Sequence, residues 1–191
     1  MDDYKIILGF VTLVIAVISY SFYFRNIFLG LTKPHAFSWF VWSIIAGIAF
    51  FAQVSQNGGA GAWVTGFTAV VCFVISVIAS FKASEPFKVF DWVSLFAAIF
   101  ALVLWYYSNN PTSAVVLVTI VFALGFLPTF RKGFYKPYEE TATTFGLNAF
   151  KFAISILALS SFSISTWLYP LTLVVLNTCF VAMLIVRRRQ V

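Results

Sequence analysis

Four side chains stand inside otherwise apolar sequence and have something to offer a polar solute: Trp42, Asn148, Lys151 and Asn177. A cation within a membrane-spanning segment costs several kcal/mol unless it faces a cavity or a partner. Lys151 sits about eight residues into its apolar segment, roughly 12 Å deep at 1.5 Å per residue, so it either meets such a partner or threads its stem back to the surface. Asn148 lies three residues earlier and shares a helical face with it. Together they form a donor-rich face suited to hydroxyls or a carboxylate. An amide mid-span, as Asn177 is, must hydrogen-bond either to another helix or to a solute. Trp39 and Trp42 lie three apart on one helical face. Trp39 reads as an interfacial belt residue, and the deeper Trp42 suits stacking against a sugar ring or another flat solute.

Other polar residues point to less. Gln53 is expected to reach the headgroups rather than line a vestibule, and Asp91 to favour a helix start. His35, the only histidine, reads as solvated in a loop. Asp91, at the edge of the fourth, is the one acidic residue in any predicted span, so the Asp, Glu or His relay of a proton pump is missing. No metal-ligand cluster, phosphate loop or nucleophile with a histidine partner can be read, which argues against an enzyme and implies no cofactor or metal. Cys72 and Cys179 both fall in apolar stretches and read as small packing residues.

The elements that must position these residues follow from hydropathy. The chain is 62% hydrophobic and 9% charged, with a mean hydropathy of +0.98, where a soluble domain would be about a quarter charged. This is the composition of an integral membrane protein. Stretches 5–24, 37–55, 62–81, 90–107, 112–130, 143–163 and 167–186 each approach the roughly 20 apolar residues a spanning helix needs, predicting seven transmembrane helices. The breaks carry turn residues, among them Lys33-Pro34, Gln56-Asn57-Gly58-Gly59, Asn109-Asn110-Pro111 and Lys136-Pro137. The first hydrophobic stretch lacks a basic leader and a cleavage site and reads as a retained helix. Apart from Lys5 and Lys151, every Lys and Arg falls in the first, third and fifth loops or in the tail at Arg187, Arg188 and Arg189. The positive-inside bias therefore predicts an outside N-terminus and a cytoplasmic C-terminus. The net charge of +6 is thereby explained without a nucleic-acid partner, and the Arg triplet reads as a membrane-face anchor.

The sequence also resembles itself. Phe24-Arg25 recurs as Phe130-Arg131, Ala36 as Ala142, Ser38 as Thr144, and Trp42 stands opposite Asn148. Further along, Trp63 pairs with Trp167, Val70-Val71 with Val174-Val175, and Phe73 with Asn177. The pattern predicts a parallel tandem repeat of three-helix units in a 3+1+3 order, with residues 1–83 as the first, 84–110 as a connector helix and 111–191 as the second.

This arrangement resembles the SWEET and PQ-loop superfamily. The local likeness is strongest at Leu127-Pro128-Thr129-Phe130-Arg131-Lys132, similar to the family's Pro-Gln dipeptide and basic loop, and at Glu140-Thr141-Ala142-Thr143-Thr144-Phe145, similar to its lead into the next helix. Thr129 replaces the family glutamine, and Phe22-Tyr23 stand where the first Pro-Gln would be. The resemblance implies a hinge at Pro128, a solute-lining role for Asn177, and a carrier embedded in the bacterial inner membrane. The expected function is facilitated transport of a small polar solute such as a sugar, held by Asn148, Asn177, Lys151 and Trp42. The alternatives are a vitamin- or nucleoside-type solute, or a seven-helix receptor that does not transport. A single chain could enclose its own path, while lipid-facing Phe-rich surfaces permit oligomers.

Overall fold

A computed structural model describes residues 3–32, 34, 36–81 and 89–190, excluding the side chains of residues 90, 91, 94, 128 and 139. The readings of His35 and of the Asp91 side chain fall outside the described set, as do Lys33, Lys82 and Lys88. Within it the protein is an all-helical membrane protein of seven α-helices: α1 (Asp3–Phe28), α2 (Ala36–Ser55), α3 (Trp63–Phe81), α4 (Val89–Ser108), α5 (Pro111–Tyr135), α6 (Ala142–Leu157) and α7 (Ile164–Arg188). Five of the helical stretches, α1, α2, Gly59–Phe81, α5 and α7, are long and apolar enough to cross a membrane. The helix ends have local causes. Asn110 accepts a hydrogen bond from Thr112 N at 2.9 Å and precedes Pro111, whose missing N–H costs nothing in a first turn.

Helix α6 is shorter than the hydropathy suggests. It stops at Leu157 instead of 163, because the serine-rich segment that follows turns back on itself. The Ser163 N–H donates to Thr166 Oγ1 at 2.9 Å and starts α7 there. At 16 residues α6 is about 24 Å long.

The helices pack in a recurring order. Helix α3 lies against both α1 and α2, and α7 lies against both α5 and α6. Helix α1 meets α6, α2 meets α5, and α4 leans on α5 and α2. Buried positions recur with this order. Gly9, Thr12, Ala16 and Tyr20 of α1 correspond to Val115, Val118, Phe122 and Phe126 of α5, while Ile45, Ala46 and Ala49 of α2 correspond to Lys151, Phe152 and Ser155 of α6. In the third helices the buried faces align only when Thr65, Thr68, Cys72 and Ser76 are set beside Thr166, Tyr169, Leu173 and Asn177. The pairing of Asn177 with Phe73 is therefore corrected: Phe73 is half-exposed, and buried Ser76 is the matching residue. The register moves because a 3-10 turn, Gly59–Ala62, precedes α3 and no such turn precedes α7.

That turn knits the helix ends together. Gly61 N donates to Ala158 O and Ser160 N to Gly58 O, both at 3.1 Å. A Cβ on Gly59, whose φ is +63°, would overlap Ser160 Oγ, so only glycine fits that left-handed and crowded position. Gln53 is buried, and its Nε2 donates to Thr166 O at 2.8 Å. The expected reach to the headgroups is overturned, since Pro170, four residues on, has no N–H to give the Thr166 carbonyl and the Gln53 amide donates in its place.

Candidate functional site

Four polar residues of α6, Thr144, Asn148, Lys151 and Ser155, fall three or four apart, with Thr141 one turn before them at the helix N-cap. That spacing places them in one stripe along the helix. The stripe meets α1. Asn26 Nδ2 donates to Thr141 Oγ1 at 3.0 Å, and Ser19 Oγ to the Thr144 carbonyl at 3.3 Å. Two turns beyond Thr144 lies Lys151, 0% exposed. Its ammonium stays in the interior: Nζ sits 4.3 Å above the centre of the Tyr20 ring and 5.0 Å from that of Phe152, and donates to Thr68 Oγ1 at 3.4 Å. Of the two fates open to Lys151, burial beside partners is the one adopted. Helix α3 contributes Thr68 and Cys72 one turn apart, and the Tyr20 hydroxyl meets both of their side chains.

The energies do not balance around this lysine. Contacts with ring faces contribute about 0.5–2 kcal/mol each, and a 3.4 Å hydrogen bond lies beyond the usual range for N–H donors. Burying an ammonium costs several kcal/mol even after relaxation. Among the described residues no carboxylate pairs with Lys151, and Glu140 is taken by Lys132 at 2.9 Å.

The asparagines are similarly incomplete. Asn177 is buried, and its Nδ2 donates to Leu173 O one turn back at 2.7 Å, yet its Oδ1 has no partner. Asn148 Oδ1 and Thr144 Oγ1 are also buried and unpartnered. Phe145 and Phe180 touch with ring centres 4.5 Å apart where α6 packs on α7. Asn148 and Asn177 each stand one turn from that contact, and because the two helices are antiparallel both lie on the same side of it. The two amides thus share a level in the bundle, with Lys151 a further turn on.

Trp42 is set apart from this group. It is half-buried on α2, with its ring 5.2 Å from Trp39 and 6.0 Å from Phe122, at the α2–α5 contact. Phe122 in turn meets Tyr169 at 5.7 Å. Three of the four expected residues therefore lie on α6 and α7, and Trp42 lies on the opposite seam. Pro128 falls within α5, and its side chain is among those not described. The sequence reading missed Tyr20, Thr68 and Thr144. The three-four spacing of polar residues along 141–155 was the available signal, diluted because Ser and Thr often satisfy themselves on their own helix, as Ser155 does on Phe152 O at 2.8 Å.

Grooves of about 240 and 440 Å³ are lined by apolar residues, the first by Ile156, Phe162, Trp167 and Leu171, the second by side chains including Leu13, Phe50, Phe51 and Phe67. Neither is lined by Asn148, Lys151 or Asn177. Side chains close over the polar stripe, and admitting a solute requires α1 and α6 to part. At the other end of α6, Arg188 donates to Pro137 O and Glu140 O at 2.9 and 2.7 Å, and Arg187 to Phe134 O at 3.0 Å. The basic tail thus fastens the end of α7 to the α5–α6 connection as well as supplying charge.

The fold and this polar seam define a helical membrane protein whose apolar interior carries a stripe of incompletely bonded polar groups. Comparison with protein-family models, with curated proteins and with solved structures gave no match.

Proposed function

We propose that this protein is a membrane carrier that moves a small polar solute down its gradient, opening alternately to each side as one three-helix unit rocks against the other. The observation that carries the reading is the set of buried, incompletely bonded polar groups where α1 of one unit meets α6 of the other. Unsatisfied buried acceptors and a buried cation are costly, and a solute that completes their bonding offsets that cost when it binds. The recurring packing order supports the two-unit reading, because α1–α6 and α2–α5 are the seams along which the units would separate. The units face the same way, with the N-terminus outside, the C-terminus in the cytoplasm and Pro128 as a hinge. The predicted spans carry one acidic residue, Asp91 at the edge of the fourth, which favours transport without ion coupling.

Proteoliposomes loaded with labelled sugars, sugar acids, nucleosides and vitamins test this directly. Release of one class faster than from protein-free vesicles, with no ion gradient imposed, is the expected outcome. Retention of every solute would instead favour a seven-helix receptor, and dependence on an imposed proton or sodium gradient would contradict uncoupled transport.

A further inference from the structure

The chemistry of the seam narrows the solute. Lys151 is a wholly buried amine whose described neighbours are a threonine hydroxyl, two ring faces and the Cys72 thiol, none of them a carboxylate. One turn away, Asn148 presents a buried Oδ1 that lacks a donor, and Asn177 presents another at the same level on α7. A neutral sugar could bond the two amides and would leave the ammonium unpaired. A simple anion such as chloride could pair with the ammonium and would leave both amide oxygens without donors. A solute carrying a carboxylate at one end and hydroxyls a few ångströms away satisfies both.

We propose that the α1–α6 seam is a binding site for a small hydroxylated carboxylate, a hydroxy acid or sugar acid. Its carboxylate pairs with Lys151 and its hydroxyls donate to the side-chain oxygens of Asn148 and Asn177. Lys151 and Asn148, three apart on one helix face, are separated by about 4.5 Å along its axis, so one small acid can span the two positions. Thr68 and Tyr20 hold the ammonium in place, and the aromatic faces orient it without supplying a competing negative charge. The proposal names the solute of the carrier described above and rests on that reading only for the claim that the solute is carried.

Paired probes separate the claims. The purified full-length protein is heated in detergent with glycerate, tartrate or gluconate, and in parallel with glycerol, threitol or glucose. At least one acid is expected to raise the melting temperature in a concentration-dependent way while its neutral counterpart does not. Lys151→Met should weaken that acid's apparent affinity at least roughly tenfold, while Lys151→Arg retains part of it. Equal stabilisation by acid and alcohol, no stabilisation by any acid, or full retention of the effect in Lys151→Met would each overturn the proposal. Should Lys151→Met not yield folded protein, Asn148→Leu and Asn177→Leu, which remove the hydroxyl acceptors, must each weaken the acid several-fold, and unchanged binding in both overturns it. An acid that stabilises the wild type but stays trapped in proteoliposomes supports the site and removes the carrier reading. Release of glucose in preference to gluconate does the reverse.

Discussion

Two seams join the halves of this molecule, and they are built from opposite materials. Where α1 meets α6, the facing residues include Ser19, Tyr20, Asn26, Thr144, Asn148 and Lys151. Where α2 meets α5, Trp42, Ile45 and Phe126 stand in the places of Asn148, Lys151 and Tyr20, and Phe122 packs beside Trp42. Lys151 corresponds to Ile45, Asn148 to Trp42 and Tyr20 to Phe126, with both members of the first and third pairs buried. The same backbone position thus tolerates a cation on one side and a branched hydrocarbon on the other. The α2–α5 side is rich in rings: Trp42 meets Phe122, and Phe126 meets Phe130, Phe145 and Phe180 edge-on within its own unit. The α1–α6 side gives up packing energy for polar groups that are only partly bonded. Such a sacrifice is expected of a surface that must separate and admit water or solute.

Substitutions that exchange the two chemistries should have the largest effects. Ile45→Lys places an ammonium in the apolar seam and should cost several kcal/mol. Loss of folded protein in detergent, followed by size-exclusion profile and melting temperature, checks this. Normal yield and stability would show that the seams are equivalent. Phe180→Ala should follow at about 3–5 kcal/mol, the usual cost of emptying an aromatic core site, because Phe180 is fully buried among Phe126, Phe130 and Phe145.

Gly59→Ala should cost about 1–3 kcal/mol through overpacking and the left-handed backbone. Adding Ser160→Gly should recover part of that loss, because the clash is with the serine side chain, and a double-mutant thermal series measures the recovery. Lys151→Met is expected to hold or raise stability in the absence of solute, since a hydrophobic isostere removes an uncompensated charge. Glu140→Gln breaks a partly exposed pair with Lys132 and should change stability by less than about 1 kcal/mol.

Much of the architecture is legible in the sequence because apolar run length and turn residues are strong signals in a membrane chain. The helices lie where the hydropathy places them, and the separation of α6 from α7 follows from the serine-rich break. Its edges were not legible, since Ser and Thr sit comfortably in spanning helices and give no sharp stop. The register of the third helices was hidden for a different reason. The glycine-alanine turn before α3 shifts the match, and sequence similarity at Val70-Val71 points to the wrong alignment, whereas burial depends on which face the helix turns inward.

Gln53 shows the limit of depth-based reading. A polar residue near a span end looks solvent-directed until the Thr166 carbonyl beside it is known. At the site, Lys151 and Asn148 stood out because charge and amide are rare in such helices. Tyr20 and Thr68 did not, because aromatic and hydroxyl residues are common there and only their convergence on one ammonium marks them. Trp42 stood out for its size, and the fold places it on the opposite seam.

The difference between the seams is tested most directly by water access at two corresponding positions. In a background where Cys72 and Cys179 are replaced by alanine, a single cysteine is placed at Asn148 or at Trp42, and its reaction with a charged, membrane-impermeant thiol reagent is followed in inside-out and right-side-out vesicles. The polar seam predicts that the cysteine at 148 reacts from at least one side and is protected by a hydroxy acid, while the cysteine at 42 reacts far more slowly from both. Equal reactivity at the two positions, or reaction at 42 alone, would contradict the account.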